Sequence, residues 1–353
     1  MKQILFLQPK QYLNRLLGAE FCQYIDGECF FGTPIYIVNE EKFLKKFDIV
    51  VSCIDHSRST QNLITIANRL NIKTVHLFDG TYDIGNVVNN PHLIRYPYYQ
   101  LSGCFYKYIL GTDLILKKYF ENQGSIFLPY MPKHCLVKFS GEKIAMDSPD
   151  KSVTKRVLIT TSNSPYFNNR ELIEILYLIN MVVEEFRLIG ISFCFRIYDK
   201  KLADGIYALN EDNNYIEGQF EDVAKNASGI ITTPSSIAYT AFQLQLPVGL
   251  LIYRDVPITQ PAGWLISRGI CIKETLSSFI RTDDFRMDYQ NRMTSLADGV
   301  SQINTLIKDN NYDNFVGKQK KIYAEYLLRL IMLYLKKSLI GNQILRYIKK
   351  WKK

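Results

Sequence analysis

Residues 227–236 read Ala-Ser-Gly-Ile-Ile-Thr-Thr-Pro-Ser-Ser, and the segment IAYTAFQLQLP separates them from a second apolar run at 248–253. An apolar run that ends in a hydroxyl-rich turn, followed by a helical segment and another apolar run, is typical of a strand–helix–strand unit. Units of this kind build parallel sheets. The stretch therefore predicts an α/β protein, with a strand at 229–232 and a helix that begins near Ser236.

The same alternation occupies two separate parts of the chain, whose 353 residues are enough for two domains. The first series predicts strands at 3–7, 35–38, 48–54, 74–78 and 125–128, with a helix at 60–70; the second predicts strands at 156–160, 191–197, 229–232 and 248–253, with a helix at 170–188. Between the two series the periodicity fails, which is typical of a linker. We therefore expect two Rossmann-like domains, at 1–137 and 155–315, joined by a linker at 138–154, with a ligand in the cleft between them.

The charge of the chain is concentrated at its C-terminal end. Residues 318–353 contain eleven Lys or Arg and one acid, a charge of +10, so the remainder of the chain carries −1 of the total of +9. A nucleic-acid-binding protein normally carries its basic surplus on the folded domain. The distribution therefore argues against a nucleic-acid partner and favours an anionic membrane surface.

The tail at 316–353 has a helical pattern in which apolar side chains alternate with basic ones. Its last part, 336–353, is predicted to be a basic interfacial helix, although a helix packed on the body is an equal alternative for 322–333. The residues expected at the lipid headgroups are Lys336, Lys337, Arg346, Lys349, Lys350, Trp351, Lys352 and Lys353.

The cysteines and the lengths of the apolar runs bear on the cellular compartment of the protein. The seven cysteines are scattered without a Cys-x-x-Cys pair, which favours reduced thiols in the cytoplasm and argues against a zinc site. The N-terminal apolar run is too short for a signal peptide, and no apolar run approaches the roughly 20 residues that span a bilayer. We therefore expect a cytoplasmic protein attached peripherally to the inner face of the membrane.

The turn at Thr233, Ser235 and Ser236 is a candidate phosphate site. Serine hydroxyls and the free N–H groups of a first helical turn converge there, as phosphate binding requires. An ordinary helix cap is the alternative, because Ser is a preferred N-cap residue.

This turn, together with the downstream Pro247, resembles the Ser-Ser motif of GT-B glycosyltransferases that use CMP-activated sugars. The group includes bacterial sialyltransferases, polysialyltransferases and capsular Kdo transferases. The resemblance implies that Ser235 and Ser236 bind the nucleotide phosphate. A similar turn occurs in CDP-glycerol polymerases, so the motif indicates the superfamily better than the donor.

A second resemblance lies at 75–86, where Asp79-Gly80 follows a predicted strand as in the acid-acid-Gly motif of bacterial sialyltransferases. It implies that Asp79 is the general base, although Phe78 replaces the first acid and an Asp-Gly pair is also common in turns. His56, at the end of another strand, is a second candidate base, while a lone His is more often structural.

The group's Lys-Pro-His-Pro motif is missing from its expected place near 193–199. Alignment by strand position gives Arg196 and Tyr198 in its place, as donors to phosphate. In the loop after the first strand of the second series, Thr161, Ser162 and Asn163 are expected to contact a diphosphate or ribose, with a plain polar loop as the alternative.

The resemblance implies a GT-B glycosyltransferase that transfers a sugar from a nucleotide donor, with a CMP-sugar favoured, to a glycan or glycolipid acceptor of a bacterial surface polysaccharide. The absence of an Asp-x-Asp triplet favours a metal-independent reaction, and no cofactor is expected. A donor linked to UDP or CDP is one alternative. The other is an inactive homologue that binds glycan or serves as a scaffold in a membrane complex.

Overall fold

The computed structural model describes residues 1–32, 40–54, 57–91, 106–136, 156–292 and 297–309. Within them lie two parallel β-sheets, each covered by helices on both faces, which confirms the predicted α/β class with two Rossmann-like domains. The predicted strand at 35–38, the linker at 138–154 and the tail at 316–353 lie outside the described residues.

The N-terminal sheet has six parallel strands in the order β2-β1-β3-β4-β5-β6. They are β1 (Lys2–Phe6), β2 (Gly27–Phe31), β3 (Ile49–Ser52), β4 (Lys73–Leu77), β5 (Tyr108–Gly111) and β6 (Ile126–Pro129). The helices are α1 (Lys10–Leu17), α2 (Glu40–Leu44), α3 (Arg58–Arg69), α4 (Ile84–Asn89) and α5 (Lys117–Asn122), with short 3₁₀ turns at Phe21–Gln23, Leu114–Leu116 and Lys133–Cys135. Helices α2 to α5 pack on one face of this sheet, and α1 packs on the other.

The C-terminal sheet has five parallel strands in the order β11-β10-β9-β7-β8. They are β7 (Arg156–Thr160), β8 (Phe193–Arg196), β9 (Ala227–Thr232), β10 (Val248–Leu251) and β11 (Trp264–Ile266). The helices are α6 (Asn169–Leu188), α7 (Lys200–Gly205), α8 (Phe220–Ala224), α9 (Ile237–Gln243), α10 (Ile272–Ile280) and α11 (Asp284–Arg292), with a 3₁₀ turn at Glu211–Asn213. Helices α6, α7 and α10 cover one face, while α8 and α9 cover the other.

The last described helix, α12 (Gly299–Lys308), returns to the N-terminal sheet. Its side chains Val300, Ile303 and Leu306 are buried against helix α1 and the sheet strands. These residues fall within the C-terminal domain predicted at 155–315, because a periodic pattern shows that a helix is amphipathic but not which sheet it covers. The chain therefore crosses between the domains a second time after α11.

Three strands were not predicted. Strand β2 is at an edge and is only partly buried, and β11 is only three residues long, so neither has a marked apolar run. Strand β5 is fully buried but has only four residues. Among the described residues, no helix is both long enough and apolar enough to cross a membrane.

Candidate functional site

A cleft of about 500 Å³ lies between the two sheets, at the carboxyl ends of their strands. The loops after β4, β6, β7 and β9 form its walls, together with residues of α1, α4 and α9, as expected for a ligand site in open parallel sheets. From the N-terminal domain the lining includes Arg15, Thr81, Asp83, His134 and Cys135; from the C-terminal domain it includes Ser162, Asn163, Ser164, Phe167, Ser235 and Ser236.

Ser235 and Ser236 line this cleft as the sequence analysis expected. The Ser235 side chain is 8% exposed, and its Oγ has no hydrogen-bond partner among the described residues. Its backbone is fixed instead, because the amide donates to Gln260 Oε1 at 3.1 Å and the carbonyl accepts from Gln260 Nε2 at 2.7 Å. The turn thus holds a buried hydroxyl in a fixed position beside an open space.

Ser236 contacts the opposite domain. A Cβ on Gly80 would collide with Ser236 Oγ, so the loop after β4 approaches the serine turn closely only because residue 80 is a glycine. Cys135, whose pKa burial raises to about 12, hydrogen-bonds the Ser236 side chain, an interaction that lowers that pKa. The two motifs identified in the sequence, Asp79-Gly80 and Ser235-Ser236, therefore meet at one edge of the cleft.

The loop after β7 contributes to the same cleft. Ser162 and Asn163 line it, and the Ser162 amide donates to Thr233 Oγ1 at 2.8 Å. Thr161 and Thr233 are buried and absent from the lining. Thr233 thus ties the two loops together, and only Ser162 and Asn163 of the predicted loop residues face the cleft.

Arg196 and Tyr198 have a different role from the one the sequence suggested. The Arg196 guanidinium is buried and donates to the carbonyl oxygens of Tyr215 at 2.6 Å, Glu217 at 2.9 Å and Gly218 at 2.8 Å. Tyr198 Oη donates to the carbonyl of Ile216 at 3.0 Å. Both side chains hold the segment 215–218 against β8 and lie outside the cleft lining, so their assignment to phosphate binding was wrong.

Asp79 precedes Gly80 and is absent from the cleft lining. Its side chain is exposed, and its Oδ2 accepts a hydrogen bond from Tyr12 Oη at 3.0 Å. Burial and then the Asp79 charge raise the pKa of Tyr12, so this tyrosine stays protonated as the donor. The second predicted base, His56, lies outside the described residues.

None of the N-terminal residues of the lining was predicted as a site residue from the sequence, and two of them, Arg15 and His134, carry side chains suited to chemistry. Arg15 is on α1, and His134 is in the 3₁₀ turn that follows β6. The Nδ1 atom of His134 is buried and has no partner among the described residues. Burial, and then the neighbouring charge of Arg15, lower the pKa of His134. A single His and a single Arg in unremarkable surroundings give no sequence signal.

A buried ion cluster joins the domains beside the cleft. The Arg254 side chain is 6% exposed; its Nη1 lies 2.9 Å from Asp83 Oδ2, and its Nη2 lies 3.1 Å from Glu171 Oε2. Asn89 Nδ2 of the N-terminal domain also donates to Glu171 Oε1, at 2.9 Å. Asp83 and Asn89 belong to one domain and Arg254 and Glu171 to the other, so the cluster holds the two halves together.

A second buried network crosses the same interface. Tyr239 Oη of α9 donates to Asp113 Oδ1 and lies 2.9 Å from Thr112 Oγ1, while Thr81 Oγ1 donates to Asp113 Oδ2 at 3.2 Å. Burial raises the pKa of Asp113 to about 6. The described part of the chain contains no group of three or more His, Cys, Asp or Glu residues that could hold a metal ion.

Comparisons with known proteins show similarity of fold alone. No protein-family model matches the chain, and no curated protein matches its sequence. Among solved structures, a putative UDP-N-acetylglucosamine 2-epimerase from Listeria monocytogenes matches with a TM-score of 0.52 and 11% identity, over 87% of this chain and 94% of that one. The Methanocaldococcus jannaschii UDP-GlcNAc 2-epimerase in complex with UDP-GlcNAc and UDP matches with a TM-score of 0.51 and 16% identity, over 88% and 100%.

The S. aureus MnaA–UDP structure gives the same TM-score of 0.51 and 16% identity, over 86% of this chain and 94% of that one. These structures share the arrangement of two Rossmann-like domains across a cleft. The GT-B fold expected from the sequence is therefore confirmed, whereas the comparisons do not support the specific resemblance to CMP-sugar transferases.

Proposed function

We propose that the cleft binds a nucleotide sugar and that the protein is an enzyme acting on it. The observation that carries this proposal is the Ser235 hydroxyl, which is buried in the cleft and has no hydrogen-bond partner in the part of the chain that the structure describes. A buried unpaired hydroxyl costs free energy unless a ligand supplies its hydrogen bond. A phosphate oxygen suits this position, because the neighbouring Ser236, Ser162 and Asn163 also offer polar groups to the cleft.

The cation for this phosphate is Arg15 in our proposal. Arg196 is occupied by three backbone carbonyls, whereas Arg15 lines the cleft from the opposite domain. An arginine near the phosphates stabilises the negative charge that develops on a departing nucleotide. Since Arg15 and Ser235 belong to different domains, the ligand would be held by both.

The names of the similar structures support a choice of nucleotide class for this proposal. Two of the similar structures contain UDP, and one of these also contains UDP-GlcNAc. The preference for a CMP-linked donor has no comparable support, so the UDP-linked alternative is the one we propose. A cleft of about 500 Å³ is within the usual range for ligand pockets.

Glycosyl transfer is the reaction we propose, without a metal ion. An acceptor hydroxyl attacks the anomeric carbon, the bond from that carbon to the phosphate oxygen breaks, and the nucleotide leaves with the electron pair. A second candidate is epimerisation of a UDP-sugar, which the names of the similar structures favour. Transfer to an acceptor or to water releases UDP, whereas 2-epimerisation yields a new UDP-sugar, so product analysis separates the two.

The acceptor and the location remain proposals from the sequence. We propose a glycan or glycolipid acceptor and a position on the inner face of the membrane, with the basic tail at 336–353 in contact with anionic lipid.

A thermal-shift screen tests the proposed function. UDP and UDP-GlcNAc should raise the melting temperature more than CMP, CDP or GDP, because a ligand that binds only the folded state stabilises it. The shift should persist in EDTA. Equal shifts from all nucleotides, or a shift that needs a divalent cation, would overturn the proposed ligand class.

A further inference from the structure

His134 is the second cleft residue whose buried polar atom has no partner among the described residues. Its Nδ1 is fully buried, as is Ser235 Oγ, and the two atoms come from opposite domains. The Ser235 hydroxyl can be assigned to a phosphate. A phosphate oxygen does not satisfy His134 Nδ1 in the same way, because this nitrogen needs a different hydrogen-bond partner.

The tautomer of His134 defines that requirement. The backbone of Arg15 interacts with the imidazole and raises its pKa, against the larger effect of burial. A neutral imidazole carries one proton, and in the tautomer with that proton on Nε2 the Nδ1 atom, which has no partner among the described residues, is an acceptor. Nδ1 then has a free lone pair and no hydrogen. It cannot donate to a phosphate oxygen, but it can accept a hydrogen bond from a hydroxyl group.

The surroundings keep this lone pair available. Burial and the nearby Arg15 charge lower the pKa of His134, so the ring is neutral at pH 7. The Asp79 carboxylate acts in the opposite direction and raises that pKa, because it favours the imidazolium. The ring is therefore ready to take a proton, with a carboxylate nearby to stabilise the charge that results.

We propose that His134 is the general base of the reaction: its Nδ1 accepts the proton of the hydroxyl that attacks the sugar. This inference rests on the proposed function and reassigns the role that the sequence gave to Asp79. As the attacking oxygen bonds to the anomeric carbon, its proton moves to Nδ1, and the nucleotide leaves with the electrons of the broken bond. Asp79 acts as a positioning residue that stabilises the imidazolium electrostatically.

The first test compares UDP binding with UDP release. Calorimetry with UDP is performed on the wild type, His134→Gln, Asp79→Asn and a control, Lys133→Gln. The control removes a neighbouring exposed side chain whose only described ion pair is with Asp298 at 3.3 Å. UDP release from UDP-GlcNAc, UDP-glucose and UDP-galactose in water is then measured for each variant.

We expect His134→Gln to keep its UDP affinity within about twofold and to lose about 10²–10⁴-fold in the rate of UDP release. Asp79→Asn should lose less, and its rate should rise at a lower pH than that of the wild type, because the loss of a carboxylate lowers the pKa of His134. A shift of the profile to higher pH contradicts the role assigned to Asp79. Release from His134→Gln within about threefold of the wild type overturns the proposal.

A second measurement is independent of turnover. Nitrogen NMR of histidine-labelled protein, with His134→Gln used to assign the resonance, should show Nδ1 unprotonated at pH 7. A protonated Nδ1 would overturn the proposal even if UDP binds. Failure of the wild type to bind UDP would instead overturn the proposed function, so the two failures are distinguishable.

Discussion

Replacement of Arg254 by Met tests whether the domains are joined as the structure shows. The Arg254 side chain is 6% exposed and lies between Asp83, 20% exposed, and Glu171, 6% exposed. It also packs over the Phe167 ring, at 4.8 Å from the ring centroid. Methionine preserves most of the length and apolar contact but removes the positive charge.

The expected cost follows from the burial of the cluster. Without Arg254, two carboxylates remain in a largely water-free interface with no cation between them. Removal of one partner from a buried ion pair typically costs about 3–5 kcal/mol, because the remaining charge is left uncompensated. We therefore expect Arg254→Met to lower the free energy of unfolding by about that amount at pH 7.

The pH dependence of this loss has a defined sign. Burial already raises the pKa of Asp83, and Arg254 is the largest opposing influence. Removal of Arg254 therefore raises the pKa of Asp83 further above its value in the unfolded chain. An acid whose pKa is higher in the folded state than in the unfolded state destabilises the protein when it is ionised, and this effect disappears when the acid is protonated. The loss in free energy of unfolding caused by Arg254→Met should therefore shrink as the pH falls from 7 towards 4.

Urea unfolding of the wild type and the variant between pH 4 and 7 measures both effects. The matched control is Arg268→Met, because Arg268 is 52% exposed and pairs with Glu174 at 2.5 Å on the surface. An exposed ion pair contributes about 0–1 kcal/mol. If Arg254→Met costs no more than Arg268→Met, the buried cluster does not join the domains.

Three other predictions concern separate parts of the molecule. Burial raises the pKa of Asp113 to about 6, above its value in the unfolded chain, so the wild type should lose stability as the pH rises from about 4 to 6. Asp113→Asn should abolish this loss, which urea unfolding at several pH values measures. Arg196→Met should lower the free energy of unfolding by at least about 2 kcal/mol, because three backbone carbonyls lose their donor, and should leave the UDP affinity unchanged. Weakened UDP binding without a loss of stability would instead support a role of Arg196 in phosphate binding. Deletion of 336–353 should abolish flotation with anionic vesicles and preserve UDP binding, whereas a truncated protein that still floats would disprove the membrane role of the tail.

The sequence predicted most of the central strands because they are buried on both faces and form continuous apolar runs. The segment around β9 and α9 shows this best, since its strand, turn and helix all lie within 20 residues. Strands β2 and β11 could not be recognised, because partial burial at an edge and a length of three residues leave no periodic pattern. Helix α12 packs on the N-terminal sheet through contacts with residues distant in sequence, and its own sequence does not indicate which sheet it covers.

The site was predictable only where a local motif carries the chemistry. Ser235 and Ser236 were found because a turn and a helix start bring them together within a few residues. The ion pair of Arg254 with Asp83 joins residues 171 positions apart. His134 is recognised only by its buried Nδ1, which has no partner among the residues that the structure describes. Arg196 illustrates the opposite case: a cation at the end of a strand suggested a phosphate ligand, but nearby carbonyls already satisfy it.

Calorimetric titration of UDP into the wild type and Ser235→Ala tests whether the buried Ser235 hydroxyl binds the phosphate of the ligand. Ser228→Ala is the matched control, because Ser228 is exposed near the start of β9, the strand that leads into the turn containing Ser235. Loss of a hydrogen bond to a charged phosphate costs about 1.5–3 kcal/mol, so Ser235→Ala should bind UDP at least about tenfold more weakly, while Ser228→Ala binds like the wild type. Equal affinity in Ser235→Ala and the wild type, or no UDP binding by the wild type, would contradict the account.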